Sequence, residues 1–127
     1  MCCSGLRTRG IRFPSSSGNP GPSRVSIRLI ISTASSVREA RHLADCLLDL
    51  KLAACVTLLP RAESLYWWNG KREKSREVVM LIKTKQSKLA KAIVCLKAHH
   101  SYTVPEIISL PILGGHPAYL KWIRETV

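Results

Sequence analysis

The order of hydrophobic patterns in this 127-residue chain predicts an α+β fold, in which one antiparallel sheet carries two helices on a single face. Three observations carry that reading. Apolar runs of strand length recur at 27–33, 53–59, 77–83 and 106–110, two amphipathic helical stretches lie between them, and Asn69-Gly70 marks a hairpin.

The first strand is expected over 27–33, with Leu29, Ile30 and Ile31 as its apolar centre. Ser36 followed three residues later by Glu39 is a capping-box signature, in which a hydroxyl and a carboxylate satisfy the free amides of a helix start. Val37, Ala40, Leu43, Ala44, Leu47 and Leu48 then recur at helical spacing, so 36–51 is predicted as a helix. Leu52 to Leu59 is almost uninterruptedly apolar and reads as a middle strand buried on both faces and closed by Pro60.

Residues 62–68 are extended and aromatic, and Asn69-Gly70 supplies two residues that tolerate positive φ. A two-residue turn there sets Trp68 beside Lys71 and Tyr66 beside Glu73, giving an arm longer than one core needs. Its charged return, 71–76, leads into a central strand over 77–83. Ser87 is the expected cap of a second helix burying Leu89, Ala92, Ile93 and Leu96. A last strand, 106–110, stops at Pro111, and Pro117 opens a short C-terminal helix. The order β-α-β-β-α-β plus a helix is that of a ferredoxin-like sandwich.

The composition narrows the function. Twenty Lys and Arg against eight Asp and Glu give a net charge of +12, an attraction for acidic partners or anionic surfaces. The basic residues are dispersed and no run exceeds two, which argues against a specific nucleic-acid site. No apolar run approaches the ~20 residues of a transmembrane helix, so a soluble, cytoplasmic protein is expected. Five scattered cysteines without Cys-x-x-Cys spacing fit a reducing compartment rather than a disulfide framework or zinc ribbon.

Residues 1–24 hold Arg7, Arg9, Arg12 and Arg24 with Ser, Gly and Pro but no acid. That composition suits a mitochondrial or chloroplast presequence or an untargeted tail, and both readings stand. The folded domain is expected over 25–127.

Three groups could carry chemistry: Cys55; His99, His100, Tyr102 and Glu106; and Tyr66, Trp67 and Trp68. Thiolate, imidazole and carboxylate together suit copper or another divalent transition metal. Each has a plainer role as well: Cys55 as core packing, His100 as a cation at a helix end, Glu106 as a surface ion-pair partner. Adjacent Trp67 and Trp68 point to opposite faces of a strand, so one ring needs cover from a second subunit. No nucleophile elbow, phosphate loop, dinucleotide fingerprint or paired acid is present, so no enzymatic activity is expected.

Leu52-Ala53-Ala54-Cys55-Val56, Ser64-Leu65-Tyr66-Trp67-Trp68-Asn69-Gly70-Lys71 and Glu77 to Thr84 resemble the CutA family of divalent-cation tolerance proteins. So do His100 to Ile108 and Pro117 to Ile123, in order across 25–127. The resemblance implies a homotrimer of PII-like form whose hairpins pair between subunits, with Tyr66, Trp67 and Trp68 at the interface. It also implies a non-enzymatic role in the response to metal ions, copper foremost, with Cys55, His100 and Glu106 matching the family's ligands. An adaptor role toward a protein partner is a further implication. Departures are Ser101 in place of the usual proline, the hairpin positions Lys74, Ser75 and Arg76 where the family usually has acidic or neutral residues, and Thr103 in place of an acid. The changes of charge make the protein less attractive to cations and more so to anions.

Overall fold

The computed structural model describes residues 26–127; residues 1–24, and any targeting role for them, lie outside that range. The elements run β1 (Ile27–Ala34), α1 (Val37–Asp49), β2 (Cys55–Trp68), β3 (Lys71–Lys85), α2 (Gln86–His99), β4 (Ile107–Pro111) and α3 (Pro117–Thr126). The four strands form one antiparallel sheet in the order β2-β3-β1-β4, which is the predicted sandwich.

Strand alternation sends Ile30, Ala34, Val78, Met80 and Ile82 to one face, where Leu43 and Leu47 of α1 and Ala92 and Leu96 of α2 cover them. That is the main core. A smaller cluster of Ile27, Ala54 and Ile123 sits under α3, with Tyr119 and Trp122 packed against it. Ile27 and Ile30 point to opposite faces, so α3 closes only one end of the sheet's second side.

The rest of that second side has no covering layer within the described residues. Cross-strand rows place Leu29, Lys83, Cys55 and Leu110 together, then Ile31, Leu81, Thr57 and Ile108, then Thr33, Val79 and Leu59. Leu59, Ile108 and Leu110 are about half exposed, at 48%, 52% and 46%.

Four expectations are corrected. The strand at 53–59 is not a central strand buried on both faces: β2 is an edge strand, and its first four residues are half-buried. Pro60 does not end it, because an edge strand tolerates a missing N–H. Instead the register shifts between Leu59 and Ala62 around Arg61, whose φ is 64°, and pairing with β3 resumes as far as Trp68 and Lys71. Ser87 is not the cap of α2; Lys85 occupies the N-cap and gives no side-chain hydrogen bond. Pro111 is the last residue of β4 rather than a stop before it, again at an edge.

The hairpin matches its expected form. Asn69 and Gly70 take φ of 51° and 75°, and Trp68 pairs with Lys71 and Tyr66 with Glu73. Both tryptophans are open to solvent in the single chain, Trp67 at 71% and Trp68 at 53%.

Candidate functional site

Cys55 opens β2 on the uncovered side of the sheet, opposite Lys83 of β3. The Lys83 ammonium donates to Thr57 Oγ1 at 2.6 Å and lies 3.8 Å from Cys55 Sγ. Thr57 Oγ1 is itself 3.9 Å from the sulfur. The thiol therefore shares a small polar island with a hydroxyl and a cation on an otherwise apolar surface. The cation occupies space beside the sulfur that a metal ion would compete for.

His100 and Glu106 lie elsewhere. His100 is the C-cap of α2, and its Nδ1 accepts the Tyr102 amide at 3.0 Å. A carbonyl can only accept, so Nε2 carries the proton it gives to Thr33 O at 2.7 Å. The ring is neutral in this arrangement, and neither nitrogen has a lone pair left for a metal. Glu106 is exposed, and its backbone carbonyl, not its carboxylate, accepts from Ser32 Oγ at 2.7 Å. Cys55 pairs across the sheet to the level of Leu29, whereas His100 binds at Thr33. Strand geometry separates those positions by about 13 Å along and about 10 Å across the sheet.

Within one chain the three expected ligands do not converge. Among the described residues, no group of three His, Cys, Asp or Glu side chains is placed to hold a metal ion. The donor set in a single protomer does not fit copper or another divalent ion as a preformed site.

What surrounds His100 is a hydrogen-bonded hub between the start of α1 and the end of α2. Ser36 Oγ caps α1 by accepting from the Glu39 amide at 3.0 Å. The Glu39 carboxylate turns back to Ser35, not Ser36, accepting from its amide at 2.9 Å and its hydroxyl at 2.8 Å, and takes the Ser101 amide at 2.8 Å with its other oxygen. Burial pushes this carboxyl up, but the hydrogen bonds from Ser101 and Ser35 outweigh it and hold it at about 2. Tyr102 donates to the buried Glu77 carboxylate at 3.1 Å. Burial, that hydrogen bond and the charge of Glu77 push the Tyr102 phenol up to about 12. Beside the hub opens a cleft of about 630 Å³, where Arg61 at the β2 irregularity and Arg76 of β3 face Ser35 and Ser36. Among the described residues neither arginine has an ion-pair partner.

A further group of donors was missed in the sequence. α1 and α2 lie side by side over an antiparallel sheet and run in opposite directions. His42 and Cys46 sit one turn apart on α1, with Nε2 3.9 Å from Sγ. Cys95 and His99 sit one turn apart on α2, with Sγ 4.0 Å from Nδ1. The two imidazoles meet edge to face at 6.1 Å between centroids. Burial and the neighbouring Cys46 push the Cys95 thiol above its ordinary value. The detectable signal was the mirrored spacing, His-x3-Cys on one helix and Cys-x3-His on the other.

Comparison with known proteins accounts for the architecture. The sequence profile of the CutA1 divalent ion tolerance protein family matches residues 28–126. The divalent-cation tolerance protein CutA of Pectobacterium atrosepticum is 46% identical over 99 residues, spanning 78% of this chain and 90% of that protein. Its counterpart in Salmonella newport is 44% identical over 99 residues, spanning 78% and 86%. Among solved structures, CutA1 from Oryza sativa superimposes with a TM-score of 0.78 at 39% identity, covering 81% of this chain and 94% of that one. The periplasmic divalent cation tolerance protein CutA from Archaeoglobus fulgidus gives 0.76 at 44% identity, covering 79% and 97%. With the profile spanning nearly all of the described residues and the same fold recurring in these relatives, the chain belongs to the CutA1 family of divalent ion tolerance proteins.

Proposed function

We propose that this protein serves divalent-cation tolerance without catalysing a reaction, as a homotrimer in which copper or a similar ion is bound through Cys55. The observation that carries the reading is the uncovered side of the sheet, an apolar surface of Leu29, Ile31, Leu81, Ile108 and Leu110 that a second copy would bury. The aromatic arm, with both tryptophans exposed, offers a second contact of the kind that anchors interfaces. The stoichiometry of three rests on the family resemblance. Because Cys55 stands apart from His100 and Glu106, a site using all three would have to be shared between chains, with Lys83 displaced from the sulfur and the His100 ring released from one of its bonds.

Sedimentation equilibrium of the full chain should give three times its 14.1 kDa mass, and Trp67→Ala should shift the balance toward monomer. A stable monomer would overturn the assembly. Native mass spectrometry with one equivalent of copper per chain should show bound ions that Cys55→Ala removes; unchanged loading would overturn the role of Cys55.

A second reading is favoured by the cleft flanked by Arg61 and Arg76, which suits an anionic ligand or an acidic protein partner. In that case a nucleoside triphosphate used as probe binds with an affinity that falls steeply with salt and is lost in Arg61→Ala. Salt-insensitive binding would count against it.

A further inference from the structure

We propose that the helix-side face of the arm formed by β2 and β3, with the cleft at its base, is a strip that binds a single-stranded nucleic acid through its phosphates, whatever the base sequence. The inference rests on the reading of the cleft as an anion site in one respect, since Arg61 and Arg76 form the inner end of the strip.

The strip comes from strand alternation. β3 is regular throughout, because the register shift lies on β2, where Pro60 and Arg61 together stand opposite Val78. Arg72, Lys74 and Arg76 therefore share the face of Val78, Met80 and Ile82, which is the core side, while Lys71, Glu73 and Ser75 share the other. Along the chain single residues separate these cations, so they make no basic run. In the strand they make a straight row with a step of about 6.7 Å and a length of about 13 Å. All three are exposed, Arg76 lines the cleft, and Arg61 flanks the same cleft from β2. Glu63, paired with Arg76 across the arm, is the one acid on this face between 62 and 76. Among the described residues none of the four cations has an ion-pair partner.

A row of like charges repels itself and stabilises nothing within the chain; a partner with negative charge at a matching repeat relieves it. The backbone of an extended single strand has such a repeat in every sequence, one charge per nucleotide at a similar step. A polypeptide matches the row only where it carries acids at alternate positions, and a strand within a duplex winds away from a straight row. Three of the four cations are arginines, whose planar fork suits the oxygens of a phosphate. Phosphate contacts of this kind position a strand and carry no sequence information.

The strip is compatible with assembly. The apolar surface of Leu29, Ile31, Leu81, Ile108 and Leu110 lies on the other side of the sheet, so copies packed through it leave the row open. Edge-to-edge pairing along β2 likewise leaves both faces of the arm free. Trp67 stands opposite Arg72 at the tip, and the grip on phosphates does not call on its ring.

The test measures the fluorescence anisotropy of labelled oligouridylate and oligothymidylate strands of about 12 nucleotides with the full chain, over a range of salt concentrations. Each phosphate neutralised on a single strand contributes about −0.7 to the slope of log K against log salt, so four contacts give about −2.8, and a fourfold rise in salt weakens binding about fiftyfold. Both strands should bind alike; binding of only one would mean that a sugar or base is read and overturns the phosphate grip. Arg72→Gln combined with Lys74→Gln should halve the slope and leave a nucleoside triphosphate bound at the cleft as before. Arg61→Ala should lose the triphosphate and lower the slope by about 0.7. A slope unchanged by the double variant overturns the strip, and the cleft reading then stands if the triphosphate still binds. Strand binding that needs Arg72 and Lys74 when the triphosphate does not bind removes the cleft reading and upholds the strip. Equal or tighter binding of an oligoglutamate or of a duplex through the same two residues overturns the assignment to a single strand.

Discussion

Glu39 is the residue through which the two helix ends are tied, because one carboxylate accepts from Ser35 and Ser101, sixty-odd positions apart in the chain. Its folded value of about 2 lies below the ordinary 4.5, so it stabilises the fold wherever the unfolded chain would also be ionised. That contribution is complete above about pH 4.5 and fades as the pH falls toward 2. Glu39→Gln should therefore cost about 1–2 kcal/mol at neutral pH, the size of a helix-start cap with charged hydrogen bonds. Urea titrations of the two proteins at pH 7 and at pH 2 check it, since the gap should close at the lower pH. A gap independent of pH would mean that packing, not charge, is lost. Residue types are legible in the sequence before their relations are. Cys55, His100 and Glu106 stand out by their donor atoms, but the strand register that sets Cys55 four rows from His100 is a tertiary fact. His42, Cys46, Cys95 and His99 are written in two separate helices, Cys46 and Cys95 being 49 residues apart, and only antiparallel packing makes neighbours of them.

Among the elements, the arm formed by β2 and β3 beyond Ala62 is the least supported. It is a two-stranded ribbon, and such ribbons are marginally stable in water without a layer to pack on. Its turn therefore matters more than usual. Gly70 sits at φ 75° with open space around the position a Cβ would take, so Gly70→Ala is opposed by backbone strain alone. The expected cost is about 1 kcal/mol. Hydrogen exchange of the amides in 62–68 should quicken about fivefold while those of β1 stay unchanged. Equal slowing or quickening throughout the sheet would show that the arm opens only with the whole domain. The elements themselves are largely readable, since period 3.6 gives α1 and Asn-Gly gives the turn and its register. Pro60 misleads for a physical reason: whether a proline breaks a strand depends on whether that strand is internal, and edge position is decided by the other strands.

At the scale of the molecule, two apolar surfaces divide the labour. One is sealed by α1 and α2 and makes the core; the other is sealed, among the described residues, only at the α3 end. The strands that form both are visible in the sequence, yet their faces are not assigned there, because alternation says that sides differ and not which side the helices choose.

Pro60 has one more effect on the protein as a solute. The outer border of β2 carries backbone groups that pair with no other strand among the described residues, along fourteen residues that include Leu59, Leu65 and Trp67. A border of that length and character is a template on which foreign strands can nucleate, and fibrils grow from such templates. The imino ring removes one donor midway and the kink at Arg61 turns the border, so no intruding strand can zip along the whole of it. Pro60→Val restores the donor and should shorten the lag of thioflavin-positive fibre growth on agitation. An unchanged lag would show that the kink alone is guard enough.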